Sequence, residues 1–413
     1  MSESVEPGGA VERIVVVGTG IAGVSAAAGA RLAGYEGEIV LIGDEPELPY
    51  RRPPVSKEIV RGEKSADEIR IRKPEWYEQQ RIELRTGVRV ESIDPEAHRV
   101  RLAGGEDLAY GSLLLATGGR ARMLPSTAKG VRTLRTLADV DGVAKALAPG
   151  ERVVVVGAGL IGSEIAASAR ERGAEVTLLE SAGLPLPHLL PPVLGGLYAD
   201  LHRDQGTDLQ TGVEVEAIED GLDGETVVTA ADGRAWSAPT VVVAVGMVPN
   251  GELAEKAGLA TERGAIVVDA FGRTTAADVY AAGDVALLPS AVLGHAHRVE
   301  HWQGAQNHGT AVGKVMAGAG EAFDEVPWCW SDQYGRTLQV TGWPSVEHDV
   351  VMRGSVPDDF TAFFLDGDVL AGAVTIGRPK EVRLARQWIG QKARPDGAVL
   401  GDDAAELADA VPA

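Results

Sequence analysis

The sequence contains the same short pattern twice, about 140 residues apart. In each copy a run of β-branched residues leads into a glycine motif and then into an alanine-containing segment. The two copies start at Arg13, before GTGIAG, and at Arg152, before GAGLIG. A second apolar run follows each time, at Glu38 to Ile42 and at Glu175 to Leu179. Each copy is therefore predicted to be a strand, a tight turn, a helix and a second strand, joined by a right-handed parallel crossover.

This repeat predicts two dinucleotide-binding domains in one chain. Two further apolar runs end in glycine, at 112–119 and 240–246, as expected for strands buried on both faces of a parallel sheet. From Val326 onward the sequence is rich in tryptophan and alternates, which predicts antiparallel strands closed by a helix near 380–391. The predicted fold is α/β, with two Rossmann-like domains and a C-terminal α+β domain. We expect residues 396–413 to form a loosely held tail.

Charge and cysteine content exclude several classes of protein. Asp and Glu number 60 against 39 Lys and Arg, and the net charge of −21 disfavours broad binding to nucleic acid or to an anionic membrane. The single cysteine, Cys329, excludes an intramolecular disulfide and a dithiol redox centre. No run reaches the ~18 apolar residues of a membrane span, and the start of the sequence does not resemble a signal peptide. We expect a cytoplasmic protein, and a monomer because no segment offers a large apolar interface.

The context of both glycine motifs favours nucleotide binding over a plain tight turn. Glycines let a pyrophosphate approach the backbone, and the following helix offers N–H donors at its N-terminus. Asp44 follows the second strand of the first copy, and Glu180 ends that of the second. Glu180 has no neighbouring arginine and would repel the 2′-phosphate of NADPH, which favours NADH, unless Glu180 is only a solvated strand end. The glycines concerned are Gly18, Gly20 and Gly23, and Gly157, Gly159 and Gly162.

Five segments together resemble one family, the FAD-dependent, NADH-using ferredoxin reductases that serve bacterial Rieske oxygenases and haem monooxygenases. They are the first glycine motif, GDEPELPYRRPPVSKEIV at 43–60, the second glycine motif with Glu164 and Glu180, TTAADVYAAGDVA at 274–286, and VPWCWSDQYG at 326–335. The resemblance implies a glutathione reductase-like architecture. The implied domains are an FAD-binding domain at 11–118 and 247–325, an NADH-binding domain at 119–246, and the C-terminal domain at 326–413. The implied function is electron transfer from NADH through FAD to a two-iron ferredoxin that feeds an oxygenase.

The resemblance also implies roles for particular residues. Lys57 would lie beside the reactive nitrogen of the flavin and pair with Glu164, where its ammonium group would stabilise the reduced flavin. Trp330 would lie near the isoalloxazine, so these three residues are the candidate catalytic ones. Asp284, after Gly283, would hydrogen-bond the ribityl chain. The other residues expected to contact FAD or NADH are Ala22, Arg52, Val90, Ala116, Thr117, Gly118, Arg135, Ile161, Gly246 and Trp302.

Several of these residues also have ordinary structural explanations. Taken alone, Lys57 is a surface lysine, Asp284 is a helix N-cap, and Glu164 is a polar residue of a first helical turn. We expect Trp343 to belong to the core of the third domain. Four histidines between 295 and 308 lie close in sequence, but no cysteine or paired carboxylate joins them at metal-ligand spacing, so we expect no metal site.

Basic residues concentrate at 378–394, where six basic residues and one acidic residue give a local charge of +5. With Arg51 and Arg52 they could form a ferredoxin docking face, and a solvated basic face is the alternative.

Other functions are compatible with the same two nucleotide-binding domains. One is NADH-dependent reduction of a small organic acceptor or a quinone, which the motifs do not distinguish from ferredoxin reduction. A disulfide or peroxide reductase would need a redox cysteine, and a nucleotide sensor would bind both cofactors without rapid electron transfer.

Overall fold

The computed structural model describes residues 12–298 and 300–411. The helices in this part of the chain are α1 (Ile21–Leu32), α2 (Pro74–Gln79), α3 (Leu137–Ala146), α4 (Leu160–Glu171), α5 (Pro192–Asp204), α6 (Glu252–Lys256), α7 (Trp302–Met316), α8 (Pro379–Gly390) and α9 (Gly397–Gly401). The first strands are β1 (Arg13–Val17), β2 (Glu38–Ile42), β3 (Ile82–Arg85), β4 (Val90–Asp94), β5 (Arg99–Leu102), β6 (Asp107–Ala109), β7 (Ser112–Leu115), β8 (Gly119–Ala121), β9 (Val131–Arg132), β10 (Arg152–Val156), β11 (Glu175–Glu180), β12 (Asp208–Thr211), β13 (Val215–Asp220) and β14 (Thr226–Ala230). The remaining strands are β15 (Ala235–Ala238), β16 (Thr240–Val243), β17 (Met247–Pro249), β18 (Thr261–Glu262), β19 (Ala265–Val267), β20 (Val279–Ala281), β21 (Ala286–Leu288), β22 (His297–Arg298), β23 (Trp328–Gln333), β24 (Arg336–Gly342), β25 (Asp349–Ser355), β26 (Asp359–Asp366) and β27 (Val369–Ile376).

These elements form two compact units. Unit 1 contains the described residues up to 51, with 70–119 and 249–324. Unit 2 contains 52–69, 120–248 and the described residues from 325 onward. This division differs from the three domains expected from the sequence, whose boundaries stay a prediction.

Unit 1 is built on a five-stranded parallel sheet in the order β20-β7-β1-β2-β3. The central strand β1 is buried on both faces, which explains its run of valines. Helix α1 packs against α7 at glycines of α7. A methyl group built at Gly309 would lie 2.2 Å from the Ala22 carbonyl oxygen, and one at Gly313 would lie 2.0 Å from that of Ala26. Only glycine permits this close approach of the two helices.

Unit 2 contains a second five-stranded parallel sheet, in the order β12-β11-β10-β16-β9. Its central strand β10 is again a run of buried valines, and α4 follows it as α1 follows β1. The last part of unit 2 is an antiparallel sheet in the order β23-β24-β27-β26-β25, against which α8 packs. The predicted fold class, with two Rossmann-like sheets and a C-terminal α+β region, is confirmed.

The segment 52–69 belongs to unit 2 because polar contacts bind it to α4. The Ser168 hydroxyl donates to the Ser56 carbonyl oxygen at 3.0 Å, and Arg172 Nη1 donates to the Val60 carbonyl oxygen at 2.9 Å. Arg61 also pairs with Glu171, with 3.0 Å between Nη1 and Oε2. These bonds hold the loop that carries Lys57 against the helix that carries Glu164.

The expectation of a loose C-terminal tail was wrong for the described residues up to 411. Asp396 caps α9 by accepting a hydrogen bond from the Ala398 N–H at 2.8 Å, and Leu400 is fully buried. The buried guanidinium of Arg353 donates to carbonyl oxygens of the tail, including that of Ala405 at 2.8 Å. The acidic composition of the segment predicted a loose tail. Composition does not show that a few apolar residues and Arg353 are enough to hold the segment in place.

Trp343 is 51% exposed, so the expectation that it belongs to the core was also wrong. It directly follows β24, where its backbone N–H donates to the Ala371 carbonyl oxygen at 2.9 Å. The core of this sheet is formed instead by Phe360, Phe363 and Phe364 of β26. Within the described part of the chain, none of the helices has the length and apolar character that a bilayer crossing requires.

Candidate active site

The first glycine turn joins β1 to α1 in unit 1. Gly18 has a φ of +117°, and a methyl group there would lie 2.1 Å from the Ala116 carbonyl oxygen. One at Gly23 would lie 1.9 Å from the Gly18 carbonyl oxygen. Gly20, the N-cap of α1, has no atom within 4 Å of its built methyl position. Backbone atoms fill the space beside Gly18 and Gly23, whereas the space beside Gly20 is open. The first N–H groups of α1, which follow Gly20, lack intrahelical acceptors.

Other predicted FAD-contacting residues of unit 1 lie at the carboxyl ends of the same sheet. Ala116, Thr117 and Gly118 directly follow β7, and the Thr117 hydroxyl donates to the Asn250 carbonyl oxygen at 2.7 Å. Asp44 is exposed, two residues past the end of β2. The carboxyl ends of parallel strands are where ligands of such sheets bind.

Gly283 and Asp284 form a short 3-10 turn next to α1. Gly283 has a φ of +77°, and a methyl group there would lie 2.7 Å from Ala22 Cβ. Its N–H donates to His308 Nδ1 at 3.2 Å. Burial lowers the pKa of His308 to about 4, so the ring is neutral and its Nδ1 can accept this bond. His308 therefore holds the turn that carries Asp284, a role that sequence reasoning missed.

Two residues of unit 1 that were predicted to contact FAD, Val90 and Trp302, do not lie in either of these turns. Val90 begins β4 and is buried in the apolar core of unit 1. Trp302 is the first residue of α7. Among the described residues, no group of three or more His, Cys, Asp or Glu side chains is arranged to hold a metal ion.

The second glycine turn, between β10 and α4 in unit 2, repeats the first closely. Gly157 has a φ of +100°, and a methyl group at Gly162 would lie 1.9 Å from the Gly157 carbonyl oxygen. Gly159, the N-cap of α4, is open, and Ile161 in the first turn is 43% exposed. Gly246 has a φ of +101° and only a distant arginine nitrogen near its built methyl position, at 4.0 Å. This turn also leaves room for a ligand at a helix N-terminus.

Glu180 is buried, with 6% of its surface exposed, so it is not a solvated strand end. Its Oε2 accepts a hydrogen bond from the Ala158 N–H at 2.7 Å, inside the glycine turn. Its Oε1 accepts one from the Ala182 N–H at 2.9 Å and one from the Ser181 hydroxyl at 3.2 Å. An ionised carboxylate has about four acceptor sites, so Glu180 can order the turn and still accept a ribose hydroxyl.

The structure brings Arg52 and Arg135 together in unit 2. Arg52 Nη1 donates to the Arg135 carbonyl oxygen at 2.9 Å. The Arg135 N–H in turn donates to Asp139 Oδ2 at 2.9 Å, next to the capping box that Asp139 forms with Thr136 at the start of α3. The two arginines expected to contact FAD are therefore held by one polar cluster.

A buried ion pair joins Lys57 to Glu164 within unit 2. Lys57 Nζ lies 2.8 Å from Glu164 Oε1, and the two residues are 6% and 3% exposed. The Ser56 hydroxyl donates to Glu164 Oε2 at 2.6 Å, and the Ser331 hydroxyl donates to Oε1 at 2.8 Å. Asp332 Oδ2 lies 4.0 Å from the ammonium nitrogen. Lys57 is therefore not a surface lysine, and its charge is balanced by a carboxylate that also accepts hydrogen bonds from two serine hydroxyls.

Sequence reasoning predicted Lys57 and Glu164 but missed Ser56, Ser331 and Asp332. A signal was present at the end of β23, where Ser331 and Gln333 place polar side chains on the same, buried face of the strand. Ser331 is fully buried and Gln333 is nearly so. Buried polar side chains on one face of a strand indicate a hydrogen-bonded network rather than an apolar core.

Trp330 and Trp328 stack against each other on β23, with ring centroids 5.2 Å apart. Cys329 lies between them in sequence and packs into an apolar cluster on the opposite face. Burial, with a smaller contribution from Glu164, raises the pKa of the Cys329 thiol to about 12. The one cysteine of this chain is therefore an inert core residue and not a reactive thiol.

Half of the basic residues at 378–394 are paired with carboxylates of unit 2. Arg386 pairs with Glu325, and Arg394 pairs with Asp368. Arg378 contacts the three carboxylates Asp359, Glu381 and Asp403. Arg394 is exposed despite its ion pair, and the exposed basic residues of 378–394 that form no ion pair with the described residues are Lys380, Arg383 and Lys392. A docking face in this region would therefore depend on these three residues.

The two parallel sheets, each with an open glycine turn at a helix N-terminus, define a dinucleotide-dependent oxidoreductase with two nucleotide sites. The chemistry of the first turn fits the pyrophosphate and ribose of FAD, because it combines open glycine backbone, free helical N–H groups and a carboxylate at the sheet edge. The second turn fits NADH by the same criteria.

Comparisons with known proteins agree with this class. Residues 12–309 match the family described as pyridine nucleotide-disulphide oxidoreductase, and residues 328–411 match the reductase C-terminal domain. The chain is 40% identical over 395 residues to the ferredoxin–NAD(+) reductase component of the anthranilate 1,2-dioxygenase system of Burkholderia cepacia, covering 94% of this chain and 96% of the relative. It is 35% identical over 411 residues to putidaredoxin reductase of Pseudomonas putida, covering 97% of each.

A crystal structure of a covalent putidaredoxin reductase–putidaredoxin complex matches with a TM-score of 0.91 and 34% identity, covering 97% of this chain and 98% of the matched chain. The chain belongs to the pyridine nucleotide-disulphide oxidoreductase family, in the group of NAD-dependent ferredoxin reductases that includes putidaredoxin reductase. The family predicted from the sequence is confirmed, and the cofactors of the family are FAD and NADH.

Proposed function

We propose that this protein passes electrons from NADH through FAD to a two-iron ferredoxin that feeds an oxygenase. One observation carries the proposal, namely the similarity to ferredoxin–NAD(+) reductases along nearly the whole chain, including the C-terminal domain. The single inert cysteine excludes the dithiol chemistry for which the wider family is named. We place the protein in the cytoplasm as part of this proposal.

The first turn holds FAD in this proposal. Gly18, Gly20 and Gly23 shape the backbone around the pyrophosphate, Asp44 binds ribose hydroxyls, and Asp284 binds the ribityl chain. FAD, when bound, supplies the conversion of one two-electron donation into two one-electron deliveries. No residue has to act as a nucleophile or as a general acid or base.

The second turn holds NADH. Gly159 and the N–H groups of the first turn of α4 receive the pyrophosphate, while Glu180 accepts the 2′-hydroxyl of the ribose and repels a 2′-phosphate. Ile161 and Gly246 line the approach. Discrimination against NADPH then follows from a carboxylate that its own turn holds rigidly in place.

Lys57 and Glu164 form the electrostatic part of the site. In this proposal the Lys57 ammonium group lies beside the flavin and stabilises the negative charge that reduction brings, with Trp330 near the ring. Glu164 balances the charge of this buried ammonium group, with 2.8 Å between Lys57 Nζ and Glu164 Oε1.

The alternative is an NADH-dependent reductase of a small organic acceptor or a quinone. An anaerobic titration with NADH, followed by cytochrome c reduction with and without two-iron ferredoxins, separates the two. Bleaching of the flavin at one NADH per FAD and ferredoxin-dependent reduction of cytochrome c are expected. Rapid turnover of quinones that no ferredoxin accelerates would favour the alternative instead.

A further inference from the structure

A line of buried hydrogen bonds leads away from Glu164 through unit 2. The Ser331 hydroxyl lies 2.8 Å from Glu164 Oε1, and Gln333 Nε2 lies 3.1 Å from Ser331 Oγ. Gln333 Oε1 lies 3.1 Å from His202 Nε2. The line connects β23 to α5, which carries His202.

The line continues beyond the imidazole. His202 Nδ1 lies 3.0 Å from the Tyr334 hydroxyl oxygen, which lies 3.1 Å from the hydroxyl oxygen of Thr207. Ser331, Gln333 and His202 are each almost completely buried. Buried polar groups are costly unless bonded, so a connected set of this size indicates a specific arrangement.

The carboxylate of Glu164, at one end of the line, determines which partner donates in each of the five hydrogen bonds. An ionised Glu164 can only accept, so Ser331 donates to it and accepts in turn from the Gln333 amide. The Gln333 carbonyl then accepts from His202 Nε2, which must carry the ring proton. The bare Nδ1 accepts from Tyr334, whose oxygen accepts from Thr207. All five bonds donate toward Glu164, an order in which each bond polarises the next.

The imidazole satisfies this order only when it is neutral. Burial lowers the pKa of His202 to about 4, which leaves it neutral at ordinary pH. The opposite tautomer would place a bare Nε2 against the Gln333 carbonyl oxygen, so that two acceptors would face each other. The geometry therefore requires the tautomer with its proton on Nε2.

The charged surroundings of the line are few. Lys57 and Asp332 face the Glu164 end, and the Cys329 thiol near it is protonated because burial raises its pKa. Arg170 and Glu171 of α4 influence the Tyr334 end with opposite signs. No second titrating group is inserted between Ser331 and His202 in the hydrogen bonds of the described residues.

We propose that Ser331, Gln333, His202 and Tyr334 are positioning residues that hold Glu164 as an ionised, fixed partner of Lys57 and thereby set the pH range in which NADH reduces the flavin. This inference rests on the proposed function for its kinetic consequence. The hydrogen-bond order itself concerns only residues of unit 2.

The first test is the tautomer of His202 in the FAD-loaded protein. The chain has eight histidines, so two-bond proton–nitrogen NMR correlations, assigned by comparison with the His202→Gln variant, identify the ring. A neutral ring protonated at Nε2 is expected throughout pH 6 to 8. A ring protonated at Nδ1, or one that titrates in this range, overturns the proposal.

The second test compares Ser331→Ala and Tyr334→Phe with the control Tyr198→Phe. Tyr198 lies one helical turn before His202 on α5, and its buried hydroxyl has no hydrogen-bond partner among the described residues. Removing the Ser331 donor from a carboxylate is expected to move the acid limb of flavin reduction by NADH about one pH unit upward. Tyr334→Phe should give a smaller shift in the same direction, and Tyr198→Phe none.

Two further readouts distinguish positioning from a purely structural role. The pH at which the flavin midpoint potential changes slope should move upward with the acid limb in Ser331→Ala. His202→Gln, which keeps a donor toward Gln333, should restore most of the profile that His202→Leu loses. A lower melting temperature with an unmoved acid limb and potential would overturn the proposal. If wild-type flavin is not reduced by NADH at all, the proposed function fails, and the NMR test still decides the hydrogen-bond order.

Discussion

The two glycine turns have the same backbone geometry and differ in the side chains that follow them. In both, the first glycine has a left-handed φ, and the second has open space beside it. A methyl group built at the third would lie 1.9 Å from the carbonyl oxygen of the first. The corresponding position in the next helical turn is Ser25 in α1 and Glu164 in α4. Helix α1 packs closely on α7 through glycines, whereas α4 contributes a buried carboxylate to an ion pair.

The acidic residues of the two copies differ as well. Asp44 is exposed beyond the end of its strand and makes no hydrogen bond with the other described residues. Glu180 is the last residue of its strand and is bonded to its own turn. The two turns share one backbone geometry, and the residues around them differ, so that of the two helices only α4 contributes a carboxylate to a buried ion pair.

The largest expected effect comes from removing the positive charge of Lys57, which pairs with Glu164 of the second glycine motif and has no counterpart at the first. Lys57→Met leaves Glu164 buried without its cation, which should cost about 3 to 5 kcal/mol of unfolding free energy. We also expect at least a hundredfold slower reduction of the flavin by NADH, measured by stopped-flow absorbance. Ser25→Ala, at the matching position of the first copy, is the control and should change neither value substantially. Equal effects of the two substitutions would contradict the asymmetry.

His308 in unit 1 and His202 in unit 2 are buried, neutral histidines, and both should make the protein sensitive to acid. Burial lowers the pKa of His308 in unit 1 and of His202 in unit 2 from 6.5 to about 4. The unfolded chain therefore binds these protons first, so the contribution of each is complete above about pH 6.5 and is lost as the pH falls to 4. By pH 4 each histidine lowers the unfolding free energy by on the order of 3 kcal/mol relative to neutral pH.

Thermal unfolding between pH 7 and 4 measures this contribution. His308→Gln and His202→Gln should each flatten the pH dependence, whereas the exposed His188 replaced by Gln should not. The assignment fails if the profiles of all three variants coincide with that of the wild type.

The open glycines should assign one cofactor to each turn. Gly20→Ala and Gly159→Ala place a methyl group where the protein leaves space, so the melting temperatures without cofactor should stay close to that of the wild type. Gly20→Ala should release FAD, and Gly159→Ala should retain FAD but raise the KM for NADH by tenfold or more, because the methyl group occupies the space of the pyrophosphate. Flavin content and steady-state kinetics measure both. Gly196→Ala, in open space on α5, is the control, and an exchange of the two phenotypes would reverse the assignment.

Glu180→Gln and Asp44→Asn compare the two acidic positions. Loss of the charge-assisted bonds of Glu180 should raise the KM for NADH about tenfold and reduce discrimination against NADPH, because both the turn and the ribose partner are weakened. Asp44→Asn should instead lower FAD retention and leave NADPH discrimination unchanged. Initial rates with both nucleotides, together with flavin content, test this pair. Unaltered NADPH discrimination in Glu180→Gln would remove Glu180 from nucleotide selection.

The smallest expected effect concerns the basic face, which belongs to unit 2. Arg383 is exposed and forms no ion pair with the described residues, so Arg383→Glu should slow ferredoxin reduction a few-fold at low salt and spare dye reduction by NADH. Arg386→Glu should instead destabilise the fold, since it places two carboxylates together at Glu325. If Arg383→Glu leaves ferredoxin reduction unchanged at every salt concentration, the docking face lies elsewhere.

The sequence was sufficient to predict both sheets, both glycine turns and the Lys57–Glu164 pair, because each depends on local patterns or on a motif that resembles a known family. It was insufficient for the partners of Glu164. Ser56 and Ser331 are far from it in sequence, and only the tertiary fold brings their hydroxyls to its oxygens. The predictions for the C-terminal tail and for Trp343 were wrong for a related reason. Composition does not show which residues of a segment pack against the rest of the protein.

The most direct test of the proposed electron path is a single-turnover count of electrons. The FAD-loaded protein is reduced anaerobically with one equivalent of NADH and mixed with excess oxidised two-iron ferredoxin, and ferredoxin reduction is followed by absorbance. We expect two ferredoxins to be reduced per NADH, at a rate that falls as salt increases. Reduced flavin that stays reduced in the presence of every ferredoxin tested, but is rapidly oxidised by a quinone, would contradict it.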